Sequence, residues 1–82
     1  TFALTVARSL IDGETACTRY SEGSTGTSYF DGATLQGSTA VFADVNGYSY
    51  ASAGWYSDGL DFRYWNGTSF TSEGVCSGGG QV

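Results

Sequence analysis

Short alternations of apolar and polar residues run through the chain. Phe2, Leu4 and Val6 alternate with Thr1, Ala3, Thr5 and Ala7, the period of a strand with one buried face. Residues 15–20, 39–43, 48–50, 54–57, 60–65 and 68–72 read as further short strands, rich in threonine, valine and aromatic residues. Five dipeptides punctuate them: Asp12-Gly13, Asp31-Gly32, Asn46-Gly47, Asp58-Gly59 and Asn66-Gly67. Their spacing tightens along the chain, so the second half predicts the closer meander. Asp-Gly and Asn-Gly favour type I′ hairpin turns, in which both central residues have positive φ. With no proline and 13 glycines, the turns rely on glycine.

Residues 8–14 (RSLIDGE) have mild helical propensity, but Asp12-Gly13 favours a turn there. The pattern therefore predicts an all-β fold, a small antiparallel β-sandwich or barrel-like meander of about six or seven short strands. One β domain is expected over residues 1–76, with 1–14 as an N-terminal strand or arm. Residues 21–28 (SEGSTGTS) read as a flexible loop and 77–82 (SGGGQV) as a flexible tail.

The stretch 54–70, GWYSDGLDFRYWNGTSF, holds six aromatic residues. On a strand over 60–65, Leu60, Phe62 and Tyr64 share one face and Asp61, Arg63 and Trp65 the other. The first face is expected in the core, and the charges beside Trp65 are expected to leave that ring at least partly exposed. Trp55 and Tyr56 point opposite ways, so one of them lies inside. Phe30, Phe42 and Phe70 are expected to be buried. A contact patch is expected from Trp55 or Tyr56 with Tyr64 or Trp65, flanked by Asp58, Asp61 and Asn66. Tyrosine and tryptophan give large contact areas at low entropic cost, and flat rings beside carboxylates and amides also suit sugar faces.

At 82 residues the chain has room for one core and buries only about three-fifths of its unfolded surface. A Cys17–Cys76 disulfide would staple it, contributing about 4 kcal/mol on the chain-entropy model; two separate buried thiols are the alternative. Eight acidic residues against Arg8, Arg19 and Arg63 give a net charge of −5, with no lysine or histidine. That balance argues against binding nucleic acid, whose footprint is a basic stripe. The apolar runs are too short for a membrane-spanning helix. The start Thr1-Phe2-Ala3-Leu4 does not read as a signal peptide, so the expectation is either a leader already removed or an initiator Met clipped before Thr1.

Without histidine or lysine, Ser-His, Cys-His and Schiff-base chemistry are absent. Asp58 and Asp61 remain as a pair of acids suited to glycoside hydrolysis, but turn capping accounts for them more simply. Asp44 and Asn46, like Asp58 and Asp61, resemble fragments of calcium loops without the closing glutamate. Asn66-Gly67-Thr68 is a glycosylation sequon that coincides with a turn. No catalytic residue, metal or cofactor is expected.

The segment 54–76, GWYSDGLDFRYWNGTSFTSEGVC, resembles a small module written Gly-Tyr-Tyr-Ser-Asp-Gly, variable residues, Trp-Asn-Gly and a closing Cys. That module recurs in bacteriophage virion and tail-fibre proteins and in surface proteins of Bacteroidetes-type bacteria. The Cys17 segment and 28–44, SYFDGATLQGSTAVFAD, stand in a similar order upstream. Asn46-Gly47-Tyr48 and Ala51-Ser52-Ala53 replace the acidic-to-proline linker usual in the module. The resemblance implies a non-enzymatic β module at a virion surface or outside the cell: a capsid decoration or short fibre component. Its implied partners are a capsid or fibre protein and further copies of itself. The chain's own pattern suits the run 1–8 to serve as a strand added to a neighbour's open edge. A carbohydrate-binding module of an adhesin, with a glycan as ligand, is the alternative.

Overall fold

The computed structural model describes residues 1–76; the expected tail at 77–82 lies outside them. In chain order the elements are β1 (Phe2–Ser9), α1 (Gly13–Ser21), β2 (Gly26–Phe30), β3 (Val41–Phe42), β4 (Gly54–Ser57), β5 (Asp61–Trp65) and β6 (Phe70–Val75). All strand pairs are antiparallel, in one sheet ordered β3-β2-β1-β4-β5-β6 that curls into a half-barrel. The small, mostly antiparallel β fold agrees with the alternation of the sequence.

β1 joins the two halves of this sheet. Phe2 through Val6 pair with β2, from Phe2↔Phe30 to Val6↔Gly26, and Ala7, Arg8 and Ser9 pair with Ser57, Tyr56 and Trp55 of β4. The N-terminal run is thus the middle of its own sheet, and the expectation that it serves as a donated arm is corrected.

A second correction concerns residues 15–20, expected as a strand and found in α1. Asp12 is the N-cap, its carboxylate accepting from the Thr15 N–H at 2.7 Å. Glu14 in the first turn and Arg19 in the last complement the helix dipole. Gly23, at φ +85°, closes the helix in the left-handed region, its N–H donating to Tyr20 O. Asp12-Gly13 therefore starts a helix; of the expected loop 21–28, Ser21 belongs to α1 and residues 26–28 to β2. Residues 48–50 add only one isolated bridge, Tyr50 to Phe42.

The hairpin turns also differ from type I′. Among the described residues only glycines have positive φ, including Gly59 and Gly67. Asp58 Oδ1 accepts from the Leu60 and Asp61 N–H groups, and Asn66 Oδ1 from those of Thr68 and Ser69. The Asx side chain thus stands in for a backbone turn, while the following glycine supplies the positive φ.

Side-chain alternation gives the sheet two faces. One carries Val6, Phe30, Val41, Tyr56 and Trp65, all buried, and Leu35 from the 31–40 loop completes that core. The other carries Ala7, Trp55, Ser57, Phe62 and Tyr64 and receives α1. A Cβ added at Gly13 would overlap the Phe62 ring, so glycine is what lets the helix approach this closely. The Cys17–Cys76 disulfide ties the helix to the end of β6, with Cα atoms 5.7 Å apart. The buried Ser57 hydroxyl lies 3.6 Å from Cys17 Sγ and 3.3 Å from Cys76 Sγ.

Candidate functional site

The seven residues expected to form one patch fall in separate places. Trp65 is fully buried, its Nε1–H donating to Ala51 O at 2.9 Å, so its expected surface role is corrected. The charge argument fails because the guanidinium of Arg63 on the same face finds backbone acceptors within the fold, its Nε alone being buried without a hydrogen-bond partner among the described residues. Its Nη1 donates to Leu35 O at 3.0 Å and to Ser38 O at 2.6 Å, and its guanidinium stacks 4.2 Å from the Phe70 ring centre. Tyr56 is buried beside it, its hydroxyl donating to Ser52 O at 2.9 Å; burial raises its pKa, against a smaller lowering by Arg8.

Trp55 and Tyr64 lie on the helix face with Phe62, half-buried. Trp55 is 4.9 Å from Tyr64 and 5.7 Å from Phe62 between ring centres. Phe62 and Tyr64 were expected in the core; they occupy the opposite face, where α1 covers them in part. Leu60, also expected inside, sits in the β4–β5 turn and is 72% exposed. Phe30 is buried as expected, whereas Phe42 and Phe70 are half-buried.

Asp58 and Asp61 do come together. The Gln36 side-chain amide donates to Asp58 Oδ2 at 3.0 Å and to Asp61 Oδ2. One amide from the 31–40 loop thus bridges both carboxylates, and Asp58 Oδ1 caps the turn as described. This is a structural junction between loop and hairpin. Asn66 is consumed by its own turn. Among the described residues no group of three or more His, Cys, Asp or Glu side chains is placed to hold a metal ion, and no helix is long and apolar enough to cross a membrane.

The most exposed aromatic surface lies elsewhere, on residues 42–50. Phe42 and Tyr50 stack at 5.6 Å and 14°, Tyr50 meets Trp65 edge-on at 5.3 Å, and Trp65 tilts against Phe70 at 5.0 Å. Four rings thus run from the buried core to the surface. Tyr50 is 53% exposed and Tyr48, at the tip, 85%. A groove of about 250 Å³ opens between Phe42, Gly47, Tyr48 and Tyr50.

The loop that bears these rings is fixed by its backbone. Asp44 Oδ1 accepts from the Tyr48 N–H at 2.9 Å and the Ser49 N–H at 3.1 Å, and Ala43 N–H donates to Ser49 O at 2.8 Å. The bond from Ser49, ahead of the others, holds the Asp44 carboxyl below its ordinary value of 3.8. Thr1 Oγ1 donates to Val45 O from the other side. Gly47, at φ +75°, packs close to Thr1 and Phe42. The sequence signal was present: Asp44 four residues before Tyr48 is a turn anchor, but Tyr48-Ser49-Tyr50 reads as a strand by composition.

No protein-family model, curated protein or solved structure matches the chain.

Proposed function

We propose that the chain is a non-enzymatic surface module that binds a partner protein through the loop bearing Tyr48 and Tyr50, in the manner of a virion decoration or short fibre component. The supporting observation is Tyr48, a large amphipathic ring 85% exposed on a backbone already held by Asp44. Burying such a ring in a partner's pocket gains apolar area and orders little, which is the profile of an interface hot spot. The disulfide suits an oxidising setting outside the cytosol.

Quantitative mass spectrometry of virus-sized particles tests the virion role. A copy number near that of the main shell protein supports decoration, and a much smaller number supports a fibre. A chain found only free in the medium overturns the virion role. Tyr48→Ala tests the surface: it is expected to abolish particle binding while the fold is kept. Unchanged binding removes the loop from the interface.

The stacked Phe42–Tyr50 pair beside its groove favours a glycan as the second reading. Because Tyr50 touches Trp65, a sugar seated on Tyr50 would change the Trp65 emission. Saccharide titration followed by tryptophan fluorescence therefore separates the two readings.

A further inference from the structure

The two ends of the sheet are not equivalent. β3 is two residues long, and Phe42 takes Tyr50 in an isolated bridge. β6 is six residues long and, among the described residues, has β5 as its one neighbour. Alternate residues of an antiparallel ladder direct their backbone groups to opposite sides. The Cys76 N–H donates to Leu60 O, toward β5, so Gly74 and Ser72 face β5 as well. Glu73 and Val75 then turn their N–H and C=O groups to the open edge. β6 contains neither lysine nor proline, two of the devices by which edge strands resist pairing; its register shift, opposite Tyr64 and Trp65, falls at Thr71, before the 72–75 stretch.

Two grooves lie over the β5–β6 pair beside this edge. Of about 250 and 290 Å³, they share Arg63 and Glu73 and extend from Phe70 to Val75. Their charge is unbalanced. The Arg63 Nη1 is occupied by carbonyls of the 35–38 segment, and its Nε lies 3.4 Å from Glu73 Oε1 at ion-pair distance but without hydrogen-bond geometry. The Glu73 side chain is 74% exposed, and Asp61 lines the smaller groove.

We infer that β6 accepts an extended strand of a partner protein that places a lysine or arginine opposite Glu73 and a β-branched residue beside Val75. Backbone pairing supplies the affinity and the cross-strand charge pair sets the register. A second copy is the poorer occupant. Pairing β6 with itself in the register centred on Glu73 opposes two carboxylates, and any register joins chains that each carry a net charge of −5; like charges across strands are destabilising. This surface is separate from the Tyr48 loop, so it stands whether or not that loop binds protein.

The probe is an end-capped nine-residue peptide in which threonine alternates with valine and a central lysine, compared with the same peptide carrying glutamate at the centre. Amide exchange by NMR at millimolar peptide is expected to show protection of Glu73 and Val75 with the lysine peptide. The glutamate peptide is expected to bind about fivefold more weakly or worse, as one cross-strand charge pair predicts. Glu73→Lys, at an exposed position, is expected to reverse that preference with the fold intact, and Tyr48→Ala is expected to leave peptide binding unchanged. Absence of protection at Glu73 and Val75, equal binding of the two peptides, or no reversal in Glu73→Lys overturns the inference. So does a dimer in sedimentation that protects the same amides without peptide.

Discussion

The two faces of the sheet carry similar numbers of rings and are held by different means. On one, Tyr56 and Trp65 sit with Phe30, Leu35 and Val41 in a sealed core, covered by loops that wrap back over it. On the other, Trp55, Phe62 and Tyr64 stay half-buried beneath a nine-residue helix that the disulfide anchors. The core face depends on packing volume. The helix face depends on one covalent bond and on glycines at close approaches, Gly13 and Gly74 against Phe62 and Gly59 against Tyr20. A chain this small cannot build two complete cores, and the second face shows how a staple stands in for missing apolar contact.

The largest expected effect is on the core face. Trp65→Ala empties the centre of the ring series and leaves the Ala51 carbonyl without its indole partner. The loss is expected to be about 3–5 kcal/mol, much of the stability of a domain this size. Urea unfolding followed by circular dichroism measures it. A loss below about 1 kcal/mol, the ordinary surface value, would mean that Trp65 is not in the core.

Next comes the staple. Cys17→Ser with Cys76→Ser is expected to cost about 4 kcal/mol on the chain-entropy model for a closed loop of this length, given the separation of 59 residues. The sharper expectation is regional. Amide exchange in α1 should rise more than exchange in β1 and β2, because the core face keeps its packing. Uniform loss across both faces would show that the two are one cooperative unit.

The contrast also explains what could be read from the sequence. β4 and β5 were legible, since their alternation and the Asp58-Gly59 turn are local signals. Which face of β5 points inward was not, because the Nη1 of Arg63 is held by carbonyls of Leu35 and Ser38, more than 20 residues away in sequence. Local pattern registers the charge and cannot register its partners. The helix was hidden in the same way. Thr15, Thr18 and Cys17 favour strand by composition, and Asp12-Gly13 is a turn signal until the glycine is seen against Phe62. The seven candidate residues were chosen for chemical type. Packing distributed them between a core, a helix face and two turns, while the most exposed ring, Tyr48, lay in a segment read as strand.

A smaller perturbation tests the helix face alone. Gly13→Ala, at the first helical position after the Asp12 cap, gains less than the interior helical propensity of about 1 kcal/mol but drives a methyl into the Phe62 ring, for which overpacking costs about 1–3 kcal/mol. The net is expected to be destabilising. Phe62→Leu in the same chain should recover part of it, and a double-mutant cycle measures that coupling. Strict additivity would mean that α1 has room to shift away from the sheet.

The smallest expected effect is acid titration, and it compares the faces directly. Asp31 and Asp44 pin the loops near the core face, and Asp12 caps the helix; all three are held below the ordinary value of 3.8. At Asp31, burial pushes upward, but the Thr39 hydroxyl and the Thr39 and Ala40 N–H groups together outweigh it. A depressed carboxyl gives stability that is complete above its unfolded value and is lost as pH falls through the folded one. The loss is therefore expected below about pH 4, and Asp31→Asn should make it shallower. The two tryptophans report on one face each: Trp55→Phe leaves the core-face ring, and Trp65→Phe the helix-face ring. Acid breaks the carboxylate pins on both sides but not the disulfide, so the Trp65 emission is expected to shift at higher pH than that of Trp55. Coincident shifts would mean that the cap at Asp12, rather than the covalent tie, decides when the helix face opens.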